Sequence, residues 1–224
     1  EITLSTMREL AGQVKIGKLT REELTEIEKA ALPGPGSCSM MGTANTMGCL
    51  IEALGMSPTG CGTMLAVDPR RPALAREAGR LVIECLRQGV TPRQIVTRPA
   101  IENAMALDMA LGGSTNSVLH LLAIAHEAGI SLTLDEFDAT ARRVPHLCNV
   151  KPSGSYSVGR LDEAGGLPAL MHEMQDCLHL DVPTVTGRTL RENIVGATVR
   201  NREVIRPLTD PLYPQGSLAI LRGS

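Results

Sequence analysis

The stretch that most constrains the fold is residues 33–36, which interrupt regular secondary structure shortly before a predicted helix. The Pro-Gly-Pro-Gly run excludes helix and turns the chain tightly. Thr43 is placed to cap the following helix, and Gly55 is placed to end it. The apolar residues of that helix recur at helical spacing: Met47, Leu50, Ile51 and Leu54. The sequence therefore predicts a tight loop held against a helix N-terminus.

Cys38 lies on this loop, just ahead of the predicted helix. Free backbone N–H groups and the positive end of the helix dipole collect there, which lowers the pKa of a thiol and favours the metal-binding thiolate. The chain lacks a C-x-x-C pair, and cysteines this sparse do not form a secreted disulfide framework, so a reducing cytoplasm is expected. The other five cysteines are interpreted as structural: Cys49, Cys61, Cys85, Cys148 and Cys177.

A second informative stretch runs from Gly112 to Asn116. Two glycines lead into Ser114 and Thr115 at a predicted helix start, where N–H groups and hydroxyls can form an anion pocket. The residues alone favour the plainer interpretation, an ordinary turn with an N-cap. The helix after it is apolar almost all round and is expected to be buried.

The pattern along the chain predicts an α/β fold, with helices on both sides of a small sheet. The predicted helices include a charged one capped by Thr20 and a long one ended by Gly89. Further helices are predicted to begin at Thr91-Pro92 (a short one), to run from Pro99 to about Ala110, to run from residues 163–168 through Met174, and to span Thr189 to Ile194. After residue 144 the sequence consists of short apolar segments interrupted by Pro and Gly. Residues 217–221 are predicted to be a strand.

Composition excludes several functions. A net charge of −2, no Trp and only three aromatic residues offer neither a basic face nor stacking platforms for nucleic acid. No apolar run approaches the ~18 residues of a membrane span, so no membrane partner is expected. None of the five histidines has the i, i+4 partner of a zinc helix, and all are assigned to structure or surface.

The order of motifs resembles the iron–sulfur dehydratase family, which includes dihydroxy-acid dehydratases and aldonate dehydratases. The first of these motifs is Gly-Ser-Cys-x-x-Met-x-Thr-Ala-Asn-Thr-Met around Cys38, followed by residues 52–56. The others lie at residues 112–116, 144–147, 149–154, 184–187 and 218–223. Because these motifs span nearly the whole chain in the family's order, the resemblance is far more specific than one short pattern.

The resemblance implies a lyase that dehydrates 2,3-dihydroxy acids to 2-keto acids, with an iron–sulfur cluster, [2Fe–2S] or [4Fe–4S], and Mg²⁺. It implies that Cys38 is one of three cluster ligands. Thr43 is a candidate to lie near the substrate, and the Gly-Gly approach and helix start predict that Ser114, Thr115 and Asn116 lie near the substrate or near the subunit contact that closes the site. The other two cysteines and several magnesium ligands are expected before Glu1, and the serine base after Ser224. Residues 1–224 alone are therefore expected to be inactive, and the enzyme to be a homodimer or homotetramer.

The same resemblance implies a domain boundary. Residues 1–206 are expected to be part of the cluster-bearing N-terminal domain. Residues 207–224 are expected to be a linker and the first strand of a second, β-rich domain.

Two substrate branches of the family stay open. Asn45 favours the dihydroxy-acid dehydratases of branched-chain amino-acid biosynthesis, because aldonate dehydratases often have Ser there. Met41-Gly42 and residues 201–207 are closer to the aldonate branch, which acts on arabinonate, xylonate or phosphogluconate. The expectation is 2,3-dihydroxy-3-methylbutanoate and its homologue. An alternative of another class is a non-catalytic α/β module that binds an anion at Gly112–Asn116.

Overall fold

The computed structural model describes residues 2–31 and 34–223, and within them the chain is built from helices joined by loops. Pro33, part of the Pro-Gly-Pro-Gly run that is predicted to interrupt helix, lies outside these residues. The helices are α1 (Leu4–Lys15), α2 (Arg21–Ala31), α3 (Thr43–Ala53), α4 (Arg71–Gln88), α5 (Pro92–Ile95), α6 (Arg98–Leu111), α7 (Asn116–Glu127), α8 (Leu134–Arg143), α9 (Val158–Glu163), α10 (Gly166–Glu173) and α11 (Leu190–Ile194), with a 3₁₀ turn at Gln175–Cys177.

Helix α6 is the centre of the core. Every residue from 100 to 111 except Glu102 is buried, and α3, α7 and α8 pack around the helix. Its Ala, Met and Leu side chains suit close approach on all sides, whereas Asn103 exchanges hydrogen bonds with the backbone of His179 (2.9 and 2.7 Å). In the described part of the chain, no helix is long and apolar enough to cross a membrane.

The predicted α/β architecture is wrong. Within residues 2–31 and 34–223 the extended segments meet only at isolated bridges, which do not extend into a sheet. These bridges are His146–Tyr213, Cys148–Ile205, Val150–Tyr156 and Pro183–Thr189.

The predicted strand at residues 217–221 is also absent, because its backbone pairs with helix ends. The N–H groups of Gly216 and Ser217 donate to the carbonyls of Ala141 (2.7 Å) and Met109 (3.1 Å). Those carbonyls lie in the last turns of α8 and α6, where intrahelical partners are missing.

Local signals predicted most helix ends correctly. Thr20 and Glu23 form the predicted cap of α2, and Gly55 and Gly89 follow α3 and α4 with φ of 78° and 67°. The expectation that α7 is buried was wrong, because it lies at the surface with Leu119 66% exposed. Helices α8 and α9 were missed.

Candidate functional site

The loop that carries Cys38 is held by the side chain of Asn45, in the first turn of α3. Its Nδ2 donates to the carbonyls of Cys38 and Met40 (2.7 Å to Met40), and its Oδ1 accepts from the hydroxyl of Ser37 (2.6 Å). One amide thus satisfies three polar groups of a loop that has no regular structure. Asn45 fixes the position of the Cys38 backbone relative to α3.

The Cys38 thiol lies against the N-terminus of α3, as the sequence predicted. A Cβ built on Gly42, the N-cap of that helix, would lie 3.1 Å from Cys38 Sγ. The cap prediction was one residue off, since Thr43 is the first helical residue and Gly42 precedes it. The absence of a side chain at residue 42 leaves room for the sulfur beside the helix end.

Cys38 opens into a cavity of about 310 Å³. One wall is the loop 34–39 and the other is the segment 62–67, and Arg71 at the start of α4 closes one side. The guanidinium of Arg71 donates to the carbonyls of Leu65 (3.1 Å) and Met64, so it supports the wall of the cavity. A half-buried thiol therefore faces a space large enough for a small inorganic group.

The second predicted loop is joined to the same helix. The side-chain amide of Asn116 donates to the hydroxyl of Thr43 (2.6 Å), which also lies 3.4 Å from the hydroxyl of Ser114. The Ser114 N–H donates to Thr46 Oγ1 (3.0 Å) one turn further along α3. Thr115 is exposed at the tip of the loop. The structure therefore brings Thr43, Ser114 and Asn116 together, one residue from the Gly42–Cys38 contact.

The glycines of this loop are required by what lies beneath them. A Cβ on Gly113 would lie 1.8 Å from Oδ1 of the buried Asp108, and one on Gly112 would lie 2.8 Å from Nε2 of His146. Gly112 also has φ of 78°, which ends α6. The loop lies directly on two buried polar side chains, neither of which the sequence analysis identified as functional.

Glu52, near the end of α3, organises the wall of the cavity from the other side. Its carboxylate accepts the N–H groups of Gly60 (2.7 Å) and Gly62 (2.9 Å). Burial raises the pKa of Glu52 to about 7, against the opposing effect of these backbone donors. The loop of residues 57–63 packs on α3, with Gly62 facing the Cys38 cavity.

The other cysteines have different surroundings. Cys49 and Cys148 are fully buried, and burial raises the pKa of both thiols. Burial also raises the pKa of the partly exposed Cys61 and Cys177. The Cys85 thiol contacts the carbonyl of Val185 at 3.6 Å.

The donor set fits one ligand of a metal cluster and does not form a complete metal site. Among the described residues, no three His, Cys, Asp or Glu side chains are grouped to hold a metal ion. Glu52 and Asp108 are committed to internal hydrogen bonds. The residues present fit a single cysteine ligand, at Cys38.

Sequence reasoning missed the supporting residues Asn45, Glu52 and Asp108. Asn45 had been considered only as a family marker of substrate type, yet its amide is committed to the Cys38 loop. The sequence did contain a signal for Asp108, since the Gly-Gly pair four and five residues after it indicates close packing over the preceding turn.

The class of domain follows from comparison of the sequence with protein families. A model of the dihydroxy-acid/6-phosphogluconate dehydratase N-terminal family matches residues 1–193. The chain belongs to this family.

Relatives named dihydroxy-acid dehydratase match along nearly all of the chain. One from Caldanaerobacter subterraneus subsp. tengcongensis is 52% identical over 99% of this chain and 40% of its own length. One from Moorella thermoacetica is 50% identical over 100% of this chain and 41% of its own. One from Ignicoccus hospitalis is 52% identical over 91% and 37%. The chain thus spans about two fifths of the length of these curated relatives.

Proposed function

We propose that the whole protein to which this chain belongs is a dihydroxy-acid dehydratase, a hydro-lyase that converts 2,3-dihydroxy acids to 2-keto acids. The observation that carries the proposal is the half-buried Cys38 thiol at the N-terminus of α3, facing a cavity, in a chain about 50% identical to proteins of that name. The non-catalytic anion-binding alternative is not favoured by these relatives.

Cys38 would provide one thiolate ligand to an iron–sulfur cluster, and Mg²⁺ would be held mainly by residues outside this chain. When bound, such a cluster supplies a Lewis acid for the leaving hydroxyl, while Mg²⁺ suits the hard carboxylate oxygens of the substrate. The Cys38 loop is kept in place by Asn45, so the thiol is held beside the N-terminus of α3.

The loop Gly112–Asn116 would form the neighbouring wall of the substrate site. Its contacts with Thr43 and Thr46 fix it to the helix that also positions Cys38. The hydroxyl and amide groups at the loop tip suit hydrogen bonding to a polar acid. Positioning of this kind accelerates a reaction by holding reacting groups in a productive geometry.

For the substrate, we favour 2,3-dihydroxy-3-methylbutanoate and its homologue, the substrates of branched-chain amino-acid biosynthesis. The names of the three relatives support this branch over the aldonate branch. A site built to bind extra sugar hydroxyls discriminates strongly against an acid that lacks them. If the assignment is right, the whole enzyme should turn over 2,3-dihydroxy-3-methylbutanoate (2,3-dihydroxyisovalerate) faster than arabinonate and gluconate. A preference for either aldonate would refute the assignment.

The cluster role of Cys38 is tested by a matched pair of variants in the whole enzyme. After anaerobic reconstitution, Cys38→Ala should lose most of the iron and the visible absorption of the cluster, and activity with them. Cys49→Ala, which removes a fully buried thiol from α3, should keep the iron content of the wild type. Full iron and activity in Cys38→Ala would show that Cys38 is not a ligand.

A further inference from the structure

The Ser117 hydroxyl, beneath the Gly112–Asn116 loop, lies within hydrogen-bond distance of two oxygen atoms. The hydroxyl oxygen of Ser117 lies 2.5 Å from Oδ2 of Asp108 and 2.6 Å from the carbonyl oxygen of Ser114. Both distances are those of strong hydrogen bonds. A hydroxyl carries one proton, and a backbone carbonyl can only accept. Each contact has a proton of its own only if Asp108 carries the second one; with an ionised Asp108, the single hydroxyl proton would be shared between two acceptors.

We propose that Asp108 is a neutral carboxylic acid that donates to Ser117, whose hydroxyl in turn donates to the Ser114 carbonyl, and that this relay positions the Gly112–Asn116 loop. The protonation state is independent of what the enzyme does. The catalytic consequence rests on the proposed function.

Burial supports the neutral form of Asp108. The residue is fully buried, and its Oδ1 has no hydrogen-bond partner among the described residues. An unpaired charged oxygen costs far more in such a place than an unpaired carbonyl oxygen. Burial raises the pKa of Asp108 from 3.8 to about 7, opposed only in part by the hydroxyl of Ser117.

The groups around Asp108 do not provide a compensating positive charge. The Cys49 thiol of α3 is close enough to Asp108 to interact with it, Cys148 lies near Cys49, and His146 lies beneath the adjacent Gly112. Burial raises the pKa of both thiols and lowers that of His146, so all three are neutral near pH 7. The buried side chains of α8 are uncharged, and α7 contributes Ser117.

Glu52 provides a comparison, because burial raises its pKa to a similar value. Its Oε1 and Oε2 each accept a backbone N–H group, so both oxygens have hydrogen-bond partners whichever protonation state the carboxyl takes. Among the described residues, no N–H group donates to the carboxyl group of Asp108. The neighbouring Ser117 hydroxyl can accept a hydrogen bond from a protonated Asp108 while it donates to the Ser114 carbonyl. The hydrogen-bond partners therefore distinguish two buried carboxyl groups that burial alone does not.

Infrared spectroscopy of the whole enzyme near pH 7 tests the protonation state. The difference spectrum of wild type minus Asp108→Asn should contain the carbonyl stretch of a protonated carboxylic acid. The control is Asp181→Asn, which removes an exposed carboxylate paired with Arg191 (2.9 Å); the hydrogen bond from Arg191 lowers the pKa of Asp181, so this difference spectrum should show only ionised carboxylate. Loss of ionised carboxylate alone in the Asp108→Asn spectrum would overturn the proposal.

Thermal unfolding gives a second test of the same state. A raised pKa contributes stability that is present below the unfolded value and is lost as pH rises through the folded value. The Tm of wild type relative to that of Asp108→Asn should therefore fall between about pH 5 and about pH 8. A constant difference over this range would mean that Asp108 is already ionised.

Ser117→Ala tests the positioning role, with Ser5→Ala on α1 as a remote hydroxyl control. Removal of the Ser117 hydroxyl leaves the Asp108 acid without an acceptor, and kcat/KM for the dihydroxy acid should fall about tenfold, mainly in kcat. Iron content should stay that of the wild type. If the acid band is present but kcat/KM is unchanged, the relay does not position the loop. If wild type turns over no dihydroxy acid, the proposed function fails while the infrared result stands.

Discussion

The side-chain amide of Asn116 donates a 2.6 Å hydrogen bond to the hydroxyl of Thr43, and this contact joins two loops that lie far apart in sequence. Thr43 begins α3, directly after the Gly42–Cys38 contact, whereas Asn116 begins α7. The helix starts that border the candidate site are thus linked through one hydroxyl. A change at either end is expected to affect the geometry at the other.

Thr43→Val tests this link because valine has nearly the shape of threonine and lacks its hydroxyl. The Asn116 amide and the Ser114 hydroxyl would both lose a partner. We expect kcat/KM of the whole enzyme to fall about tenfold, since one well-formed hydrogen bond is worth roughly 1.4 kcal/mol. Thr25→Val, which removes an exposed hydroxyl bonded to the Arg21 carbonyl (2.9 Å), should leave kcat/KM unchanged.

Asn45→Ala should weaken retention of the cluster by the whole enzyme. The substitution leaves the carbonyls of Cys38 and Met40 and the Ser37 hydroxyl without their shared partner. Loss of such supporting contacts typically costs about tenfold or more in metal affinity. Iron bound per chain after challenge with a chelator measures the effect.

Asn193→Ala is the matched control for that variant. This asparagine also bonds two side chains through its amide, Thr184 and Thr186 (both 2.9 Å), but it lies in α11. The control should lower Tm without a loss of iron. Equal iron loss in both variants would contradict a specific role for Asn45.

Helix ends could be predicted from the sequence because their signals are local. The Thr189–Glu192 capping box and the left-handed Gly89 act on residues within one turn of themselves. The sheet was predicted wrongly because its evidence is not local. The N–H groups of Leu147 and Cys148 both donate to the Ala110 carbonyl at the end of α6, a choice of partner that the apolar pattern of residues 144–150 does not specify.

In the candidate site, too, the residues marked by local sequence signals could be predicted, whereas those that depend on tertiary packing could not. Cys38 and the Gly112–Asn116 loop stood out because Gly and Pro mark backbone that cannot be regular. Asp108 did not stand out, because an Asp inside a helix normally lies at the surface. Only the packing of α6 in the core buries its carboxyl under Gly113.

Gly113→Ala should destabilise the fold far more than its size suggests. The added methyl would lie 1.8 Å from Oδ1 of Asp108 and 3.0 Å from Cγ2 of Thr46, so the loop or the carboxyl group must move. We expect a loss of roughly 3 kcal/mol in the free energy of unfolding. Gly79→Ala on α4, where nothing lies within 4 Å, should instead stabilise by up to about 1 kcal/mol. Similar effects in urea unfolding of the two variants would contradict the close packing.

The raised pKa of Glu52 predicts that the stability of the fold decreases as pH rises towards neutrality. Burial raises its pKa from 4.5 to about 7, so the folded state binds more protons than the unfolded state between these values. The contribution of Glu52 to stability is present below the unfolded value and is lost as pH rises through about 7. Over that window the loss is on the order of 3 kcal/mol.

Glu52→Gln removes the titration, so the difference in unfolding free energy between wild type and this variant should decrease as pH rises from about 5 to about 8. Glu77→Gln on α4 is the control. The Glu77 carboxylate is exposed, and the hydrogen bond from Arg80 lowers its pKa, so it is ionised in both states over this range. The wild-type difference for this control should stay constant. A constant difference for Glu52→Gln as well, in urea titrations at each pH, would show that the buried carboxyl of Glu52 does not exchange its proton near neutral pH.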